Sequence, residues 1–290
     1  MKKPYVYAAV SIFFWSTIGT VSKLLLNSLS SYQILTVSAF FAFLALFIVN
    51  LVTGNLKNLK TYRAKDYLTI ALIGLPGTFL YYVFFYGGTD RMLSSQAFIV
   101  NYLWPIMSVV FACLLLKEKM TTRKIVAIAV SFLGVFTVAG GALIHFDANT
   151  LIGAALCMLG AVSYGSFTAL NQRFFYDKRL AMMIFFLVSF LLSLIINLTS
   201  GETFRLTPMQ WIGMLYNGAF VMALPSVTWA LALESGKTAK ISNLAYITPF
   251  ASLVWTSLVL KEPISPWSVA GLCVIILGIF IQLNDKKEAV

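Results

Sequence analysis

The residues of this sequence best suited to bind a small solute lie inside a stretch that is otherwise hydrocarbon, residues 100–111, VNYLWPIMSVVF. Asn101 carries an amide, Trp104 carries an indole, and Pro105 lacks a backbone N–H. At helical spacing Asn101, Pro105 and Ser108 share one face, with Trp104 alongside. An amide, an aromatic ring and a broken backbone at one depth could hold a polar solute by hydrogen bonds and ring contacts.

The elements that position these residues must be solvated by lipid. Of 290 residues, 60% are hydrophobic and only 11% are charged, whereas a soluble domain carries about a quarter charged residues. A hydrocarbon layer about 30 Å thick is crossed by about 20 apolar residues of helix. The sequence predicts an all-α polytopic membrane protein with ten transmembrane helices, at about 5–26, 31–53, 66–88, 92–116, 123–144, 150–172, 179–200, 208–232, 238–260 and 265–284.

The net charge of +11 is explained by membrane orientation. If both termini are cytoplasmic, every Lys and Arg falls in cytoplasmic segments except Lys23, Arg91, Arg205 and Lys261. Cytoplasmic loops of membrane proteins carry this excess of positive charge. We therefore expect membrane lipid as a partner, no nucleic acid, and both termini on the cytoplasmic side of the membrane.

An internal repeat relates the two ends of the chain. Shifted by 144 residues, 67–136 aligns with 211–280 without a gap. The alignment matches Tyr102 with Tyr246, Pro105 with Pro249, Ser108 with Ser252, LKE at 116–118 with LKE at 260–262, and Gly134 with Gly278.

The repeat predicts two domains, 1–145 and 146–290, each a five-helix unit. Because five is odd, the second repeat must enter the membrane in the opposite orientation to the first. Inverted repeats of this kind recur in secondary transporters, where the substrate lies near the midplane between them. The two glycines of the repeat, Gly134 and Gly278, permit close helix contact within one chain or between two copies, so a monomer and a homodimer both remain open.

Pro105 and Pro249 fall at the centres of the fourth and ninth predicted helices, where we assign them to helix breaks or gates. Each proline frees the carbonyl four residues earlier, and in lipid a freed carbonyl is tolerated only against protein or a wet cavity. The sequence favours a polar, aromatic wall of a central cavity. The alternative is a kink that aids packing, with Asn101 bonded to a neighbouring helix.

Further aromatic residues fall at the same predicted depth. Trp15 is central in the first predicted helix, and Tyr164 is its approximate counterpart in the sixth. Tyr82 lies in the third helix, Trp229 in the eighth, and Tyr246 beside Pro249. The predicted substrate-binding set is therefore Trp15, Tyr82, Asn101, Trp104, Tyr164, Trp229 and Tyr246.

Several classes of activity are disfavoured by what the sequence lacks. No HExxH motif occurs, and His145 is the sole histidine, so no nucleophile with a base partner lies at membrane depth and we expect no enzyme. The cysteines, Cys113, Cys157 and Cys273, are too far apart for a metal pattern. We expect neither a metal nor another cofactor. All ten carboxylates lie at or near predicted helix ends, so no acid is available at the midplane for a proton relay.

The whole chain resembles the drug/metabolite transporter superfamily in its EamA branch. FWST at 14–17, VNYLWP at 100–105 and YITPFAS at 246–252 are similar to the aromatic amino-acid exporter subgroup. The resemblance implies an exporter of amino acids or related metabolites in the bacterial cytoplasmic (inner) membrane, with Trp15, Asn101, Trp104 and Tyr246 in its cavity.

The leading hypothesis is a secondary transporter that exports aromatic or neutral amino acids, or related small metabolites, by alternating access. An alternative is a carrier for cationic or quaternary amines, held in an aromatic cage by cation–π contact. A channel or scaffold is a further alternative, which the inverted repeat and the broken helices disfavour.

Overall fold

The computed structural model describes residues 3–138, 147–201, 204–233 and 244–283. Within these ranges the chain is helical, with no strand. The α-helices are α1 Lys3–Ser16, α2 Ile18–Leu26, α3 Ser31–Val52, α4 Ala64–Gly74, α5 Tyr81–Arg91, α6 Ser94–Asn101, α7 Trp104–Leu115, α8 Thr122–Val138, α9 Ala148–Arg173, α10 Lys178–Ser200, α11 Pro208–Leu215, α12 Leu224–Leu233, α13 Thr248–Leu260 and α14 Pro266–Leu283. Short 3₁₀ segments occupy Asn55–Thr61 and Ala245–Ile247, and π-helical segments occupy Leu75–Leu80 and Tyr216–Ala223.

Each of the ten predicted apolar runs contains helix in its described part. Seven continuous helical stretches of the described residues are long and apolar enough to cross a membrane, and two shorter apolar helices follow at Ala245–Leu260 and Pro266–Gln282. The protein is therefore a multi-pass membrane protein that is helical in its described ranges, and the count of ten crossings remains a prediction. His145 and the predicted domain junction at 145/146 lie outside the described residues.

Local sequence signals define many helix starts. Ser30 and Gln33 form a capping box at α3, and Thr207 and Gln210 form one at α11. The Asp177 carboxylate accepts the Arg179 and Leu180 N–H groups at the start of α10. Such caps satisfy backbone donors that the first helical turn leaves unpaired.

The chain forms two compact units. The first unit, residues 1–79 and 175–255, packs α3 against α10 and α1 against α12. Its buried polar side chains bond between helices. Asn197 Nδ2 donates to Thr36 Oγ1 at 2.6 Å, and Asn217 Nδ2 donates to Ser38 Oγ at 3.1 Å. These bonds satisfy amide donors that would be costly against hydrocarbon.

The second unit, residues 80–174 and 256–290, packs α9 against α5, α6 and α7. It also pairs α8 with α14 through small residues. A Cβ added to Gly134 would lie 2.6 Å from Ile275 Cγ1 and 2.8 Å from the Gly271 carbonyl oxygen. A Cβ added to Gly278 would meet Ser131 and lie 2.8 Å from the Ala127 carbonyl oxygen. Both glycines therefore bring the two helix backbones into close contact within one chain.

The two LKE sequences form the same backbone corner in this second unit. Lys117 follows α7 with φ 60°, and Lys261 follows α13 with φ 58°. The N–H groups of Glu118 and Glu262 turn back toward the carbonyls of Ala112 and Thr256, each at 3.4 Å. Since non-glycine residues rarely adopt positive φ, this corner is an uncommon backbone feature shared by two positions 144 residues apart.

Lys124, one of the basic residues of the predicted cytoplasmic segments, is buried in the structure. Its side chain is only 1% exposed, and its ammonium lies 3.2 Å from Glu118 Oε2. It also donates to the Lys119 carbonyl at 3.2 Å. The loop folds back over the first turn of α8, which charge counting along a sequence does not reveal.

Candidate functional site

Asn101 is the polar centre of a cluster in the second unit. It ends α6 and is buried, with 3% of its surface exposed. Its Nδ2 donates to the Tyr81 hydroxyl of α5 at 3.0 Å. On the other side lies Gly160 of α9, where an added Cβ would lie 3.2 Å from Asn101 Oδ1. The glycine thus leaves room for the amide, and Oδ1 keeps no hydrogen-bond partner.

Aromatic rings surround this amide. The Tyr164 ring of α9 lies between Tyr81, at 5.0 Å between ring centroids, and Trp104, at 5.2 Å in an edge-on arrangement. Tyr82 packs on Tyr81 at 4.8 Å and is itself buried. The structure therefore brings together four predicted site residues, Tyr82, Asn101, Trp104 and Tyr164. We call these four and Tyr81 the tyrosine–asparagine cluster, and none of its side chains carries a charge.

A break in the helix positions Asn101 and Trp104. α6 stops at Asn101, Tyr102 and Leu103 form a turn, and α7 begins at Trp104 with Pro105 as its second residue. The Leu103 N–H bonds to the Val100 carbonyl, three residues back, at 3.2 Å. The expected single helical face from Asn101 to Ser108 is therefore interrupted, because the chain leaves the α-helix before the proline. Pro105 and Trp104 are half-buried.

The equivalent segment of the repeat lies in the first unit and has the same form. The 3₁₀ turn Ala245–Ile247 carries Tyr246, and α13 then begins at Thr248 with Pro249 as its second residue. Tyr246 is half-buried and Pro249 is buried. Both prolines thus follow an irregular turn and stand second in the helix that comes after it; their role as gates stays a prediction.

The remaining two predicted residues, Trp15 and Trp229, form a pair in the first unit. Their ring centroids are 5.3 Å apart, and both side chains are half-buried. Beside them the hydroxyls of Ser11 and Thr228 share a hydrogen bond of 2.6 Å between α1 and α12. A tryptophan pair with a hydroxyl pair offers ring faces and hydrogen bonding, as the tyrosine–asparagine cluster does.

The first unit also contains an open groove of about 470 Å³ between α1 and α13. Its lining is almost wholly apolar, and its polar contact is the Trp255 indole N–H donating to Ser16 Oγ at 3.0 Å. None of the predicted site residues lines this groove.

Sequence reasoning missed two members of the site environment. The predicted set contains Tyr82, whereas Asn101 bonds its neighbour Tyr81, and the sequence offers only a run of two tyrosines as a signal. Gly160 had no signal, because a small residue gains its role from the side chain it faces.

A profile of the EamA-like transporter family matches residues 2–140 and 151–283. An uncharacterized transporter from Archaeoglobus fulgidus is 25% identical over 295 residues, covering 99% of this chain and 100% of that protein. A probable terminal-alkyne amino-acid exporter from Streptantibioticus cattleyicolor is 26% identical over 234 residues, covering 78% of each chain. A solved crystal structure shares the fold with TM-score 0.68 at 16% identity, covering 97% of this chain and 96% of its own. Since the profile spans nearly the whole sequence, this chain belongs to the EamA-like transporter family.

Proposed function

We propose that this transporter exports amino acids, aromatic or neutral, or related small metabolites across the bacterial cytoplasmic membrane. The observation that carries the proposal is the tyrosine–asparagine cluster at a broken helix. A buried amide with an unpartnered Oδ1 can accept a hydrogen bond from an ammonium or amide group of a solute. The rings of Trp104 and Tyr164 supply apolar surface for an aromatic or aliphatic side chain.

The composition of the cluster favours a solute without net charge. A multiply anionic cargo would need cationic partners, whereas the cluster supplies hydroxyls, an amide and rings. A neutral amino acid presents one ammonium and one carboxylate beside an apolar side chain, which suits these groups. The named amino-acid exporter among the relatives supports this substrate class.

We further propose alternating access between two inverted five-helix repeats, 1–145 and 146–290, with both termini cytoplasmic. Three observations support the repeat. The family profile matches one segment in each half, the two LKE corners share a backbone conformation, and Gly134 and Gly278 make equivalent contacts. Two repeats of opposite orientation can exchange conformations and so expose a site to either side of the membrane in turn.

The Trp15–Trp229 pair favours a second candidate, a carrier for cationic or quaternary amines. Indole faces attract such cations with about 0.5–2 kcal/mol per contact. The rings of the pair are tilted at 56° and half-buried, so one face of each could receive a trimethylammonium group. This candidate differs from the first in needing no hydrogen-bonding partner for the cation.

Uptake into proteoliposomes distinguishes the two functions. Labelled phenylalanine, tryptophan, leucine and choline are offered with and without a pH gradient, at equal amounts of inserted protein. We expect saturable flux of the amino acids that falls at least tenfold in Asn101→Ala and Trp104→Ala. Saturable flux of choline alone would reject the amino-acid proposal, and unchanged flux in both variants would reject the cluster as the substrate site.

A further inference from the structure

The helix that carries Asn101 has no cap of its own. α6 begins after Leu93, which has extended backbone and no side chain able to accept a hydrogen bond. Its first residues are buried, with Ser94 0% and Ser95 2% exposed. Free N–H groups at a buried helix start are unfavourable unless an acceptor reaches them.

That acceptor is a carboxylate from the other end of the sequence. Glu262 Oε1 accepts the Ser94 N–H at 2.8 Å, and Oε2 accepts the Ser95 N–H at 3.0 Å and the Ser95 hydroxyl at 2.9 Å. Glu262 is 9% exposed and lies in the corner that follows α13. A negative charge at a helix N-terminus also interacts favourably with the helix dipole.

The capped helix is short and is interrupted at both ends. α6 has eight residues, Ser94–Asn101, so about 12 Å separate its cap from the end that carries Asn101, at 1.5 Å per residue. Two extended residues, Met92 and Leu93, separate it from α5, and a turn at Tyr102 and Leu103 separates it from α7. Its position therefore depends on packing and on the cap, and not on a continuous helix.

We propose that Glu262 is a positioning residue for transport, because its carboxylate fixes the start of α6 and thereby places Asn101 and Trp104 for the substrate. The proposal rests on the proposed function in taking the tyrosine–asparagine cluster as the substrate site. Glu262 acts on the substrate only through α6 and does not touch it.

The carboxylate is needed for its two acceptor oxygens. In Glu262→Gln the side chain keeps its size, but one oxygen becomes an NH₂ group that would face a donor. The variant therefore loses at least one of the three bonds and the favourable charge. Glu262→Asp keeps the charge with a shorter reach, so it should preserve part of the effect.

The matched control is Asp147→Asn. Asp147 also carries a negative charge at a helix start in the second unit, but it is exposed and caps its own helix, accepting from Asn149 N–H and from Thr150. Asparagine caps nearly as well as aspartate. This variant removes one charge without releasing a buried helix start.

The test measures concentration dependence of amino-acid flux in proteoliposomes matched for folded, inserted protein. We expect the apparent KM to rise about tenfold in Glu262→Gln, less in Glu262→Asp, and less than twofold in Asp147→Asn. A purely structural role would lower the amount of folded protein and leave the KM unchanged. An unchanged KM in folded Glu262→Gln overturns the proposal.

Ser95→Ala keeps the test decisive if Glu262→Gln does not fold. It removes one hydroxyl bond and leaves both backbone bonds, so we expect a rise in KM of about twofold to threefold. An unchanged KM in Ser95→Ala, with Glu262→Gln unfolded, would overturn the positioning role.

Hydrogen exchange separates failure of this proposal from failure of the proposed function, because it needs no substrate. In Glu262→Gln, or in Ser95→Ala if that protein must be used, we expect faster amide exchange in residues 94–101 and unchanged exchange in α9. Unchanged exchange in 94–101 overturns the anchoring of α6 even if amino acids are transported. Faster exchange in a protein that moves none of the amino acids supports the anchoring and rejects only the substrate class.

Discussion

The two LKE corners of the second unit have the same backbone and different side-chain partners. Lys117 and Lys261 share positive φ within 2°, and the following acids turn back to equivalent carbonyls. Yet Glu118 is 41% exposed and pairs with Lys124, whereas Glu262 is buried and caps α6. A sequence repeat thus preserves backbone conformation more strongly than the use of a given side chain.

The two glycines of the repeat differ from the two glutamates, because both glycines keep equivalent packing partners. Gly134 faces Gly271 and Ile275, and Gly278 faces Ala127 and Ser131. A shift of 144 residues converts each set of contacts into the other. Helix pairs held by small residues need close backbone approach, so both members of the pair are constrained in the same way.

We therefore expect the two glycines to be equally sensitive to substitution, with the greatest loss of stability of any change considered. Gly134→Ala and Gly278→Ala each place a methyl group against backbone atoms of the partner helix, which we expect to cost about 2–3 kcal/mol of stability. Thermal unfolding in detergent measures the loss. Gly87→Ala is the control, since its added Cβ meets Leu156 Cδ1 at an ordinary 3.4 Å and should change stability by less than about 0.5 kcal/mol.

Unequal losses of stability in the two glycine variants would contradict the equivalence of Gly134 and Gly278. If Gly278→Ala were tolerated as well as Gly87→Ala while Gly134→Ala was not, the two glycines would have unrelated roles. The reciprocal contacts would then be accidental features of one helix pair, and the support they give to a repeat would be lost.

A second stability measurement tests the ion pair between Glu118 and Lys124, which distinguishes the first corner from the second. Glu118→Ala removes the carboxylate that lies 3.2 Å from the buried Lys124 ammonium, while the contacts to the Lys119 carbonyl and to Cys113 Sγ are kept. We expect a loss of about 1–2 kcal/mol of stability, because a buried charged donor loses its carboxylate acceptor. Adding Lys124→Met should restore most of this stability, since the buried charge is then removed together with its carboxylate partner.

Thermal unfolding of the single and double variants measures this coupling. A double variant no more stable than Glu118→Ala would show that Glu118 contributes through contacts other than Lys124. Lys124→Met alone serves as the control for the change in side-chain packing.

Helix positions were largely predictable from sequence because lipid enforces long apolar runs. The predicted runs 31–53 and 179–200 correspond to Ser31–Val52 and Lys178–Ser200. The irregular turns before Pro105 and Pro249 followed from the missing N–H of proline. These features depend on residues close together in the chain.

The partners within the site were less predictable because they depend on packing between distant segments. Asn101 bonds Tyr81 and not the neighbouring Tyr82, a choice set by the rotation of α5 against α6. Glu262 and Ser94 are 168 residues apart in the sequence, and no local sequence pattern predicts a cap of this kind. The sequence gives the opposite signal at this point, because Ser94 and Ser95 are of a type preferred as helix caps, whereas the helix begins at Ser94 with Leu93 in the cap position.

A smaller change in stability, at Lys117 and Lys261, tests whether the two corners share the same backbone strain. Left-handed conformation costs an L-residue about 1–2 kcal/mol relative to glycine, and the side chains of Lys117 and Lys261 are exposed. Glycine at either position should therefore be more stable than alanine by about 1 kcal/mol, with the alanine variant controlling for the lost charge. Thermal unfolding of the four variants checks this. Equal differences at both corners would mean that the strain is a property of the repeat, whereas a difference at only one would mean that the other corner relaxes out of positive φ.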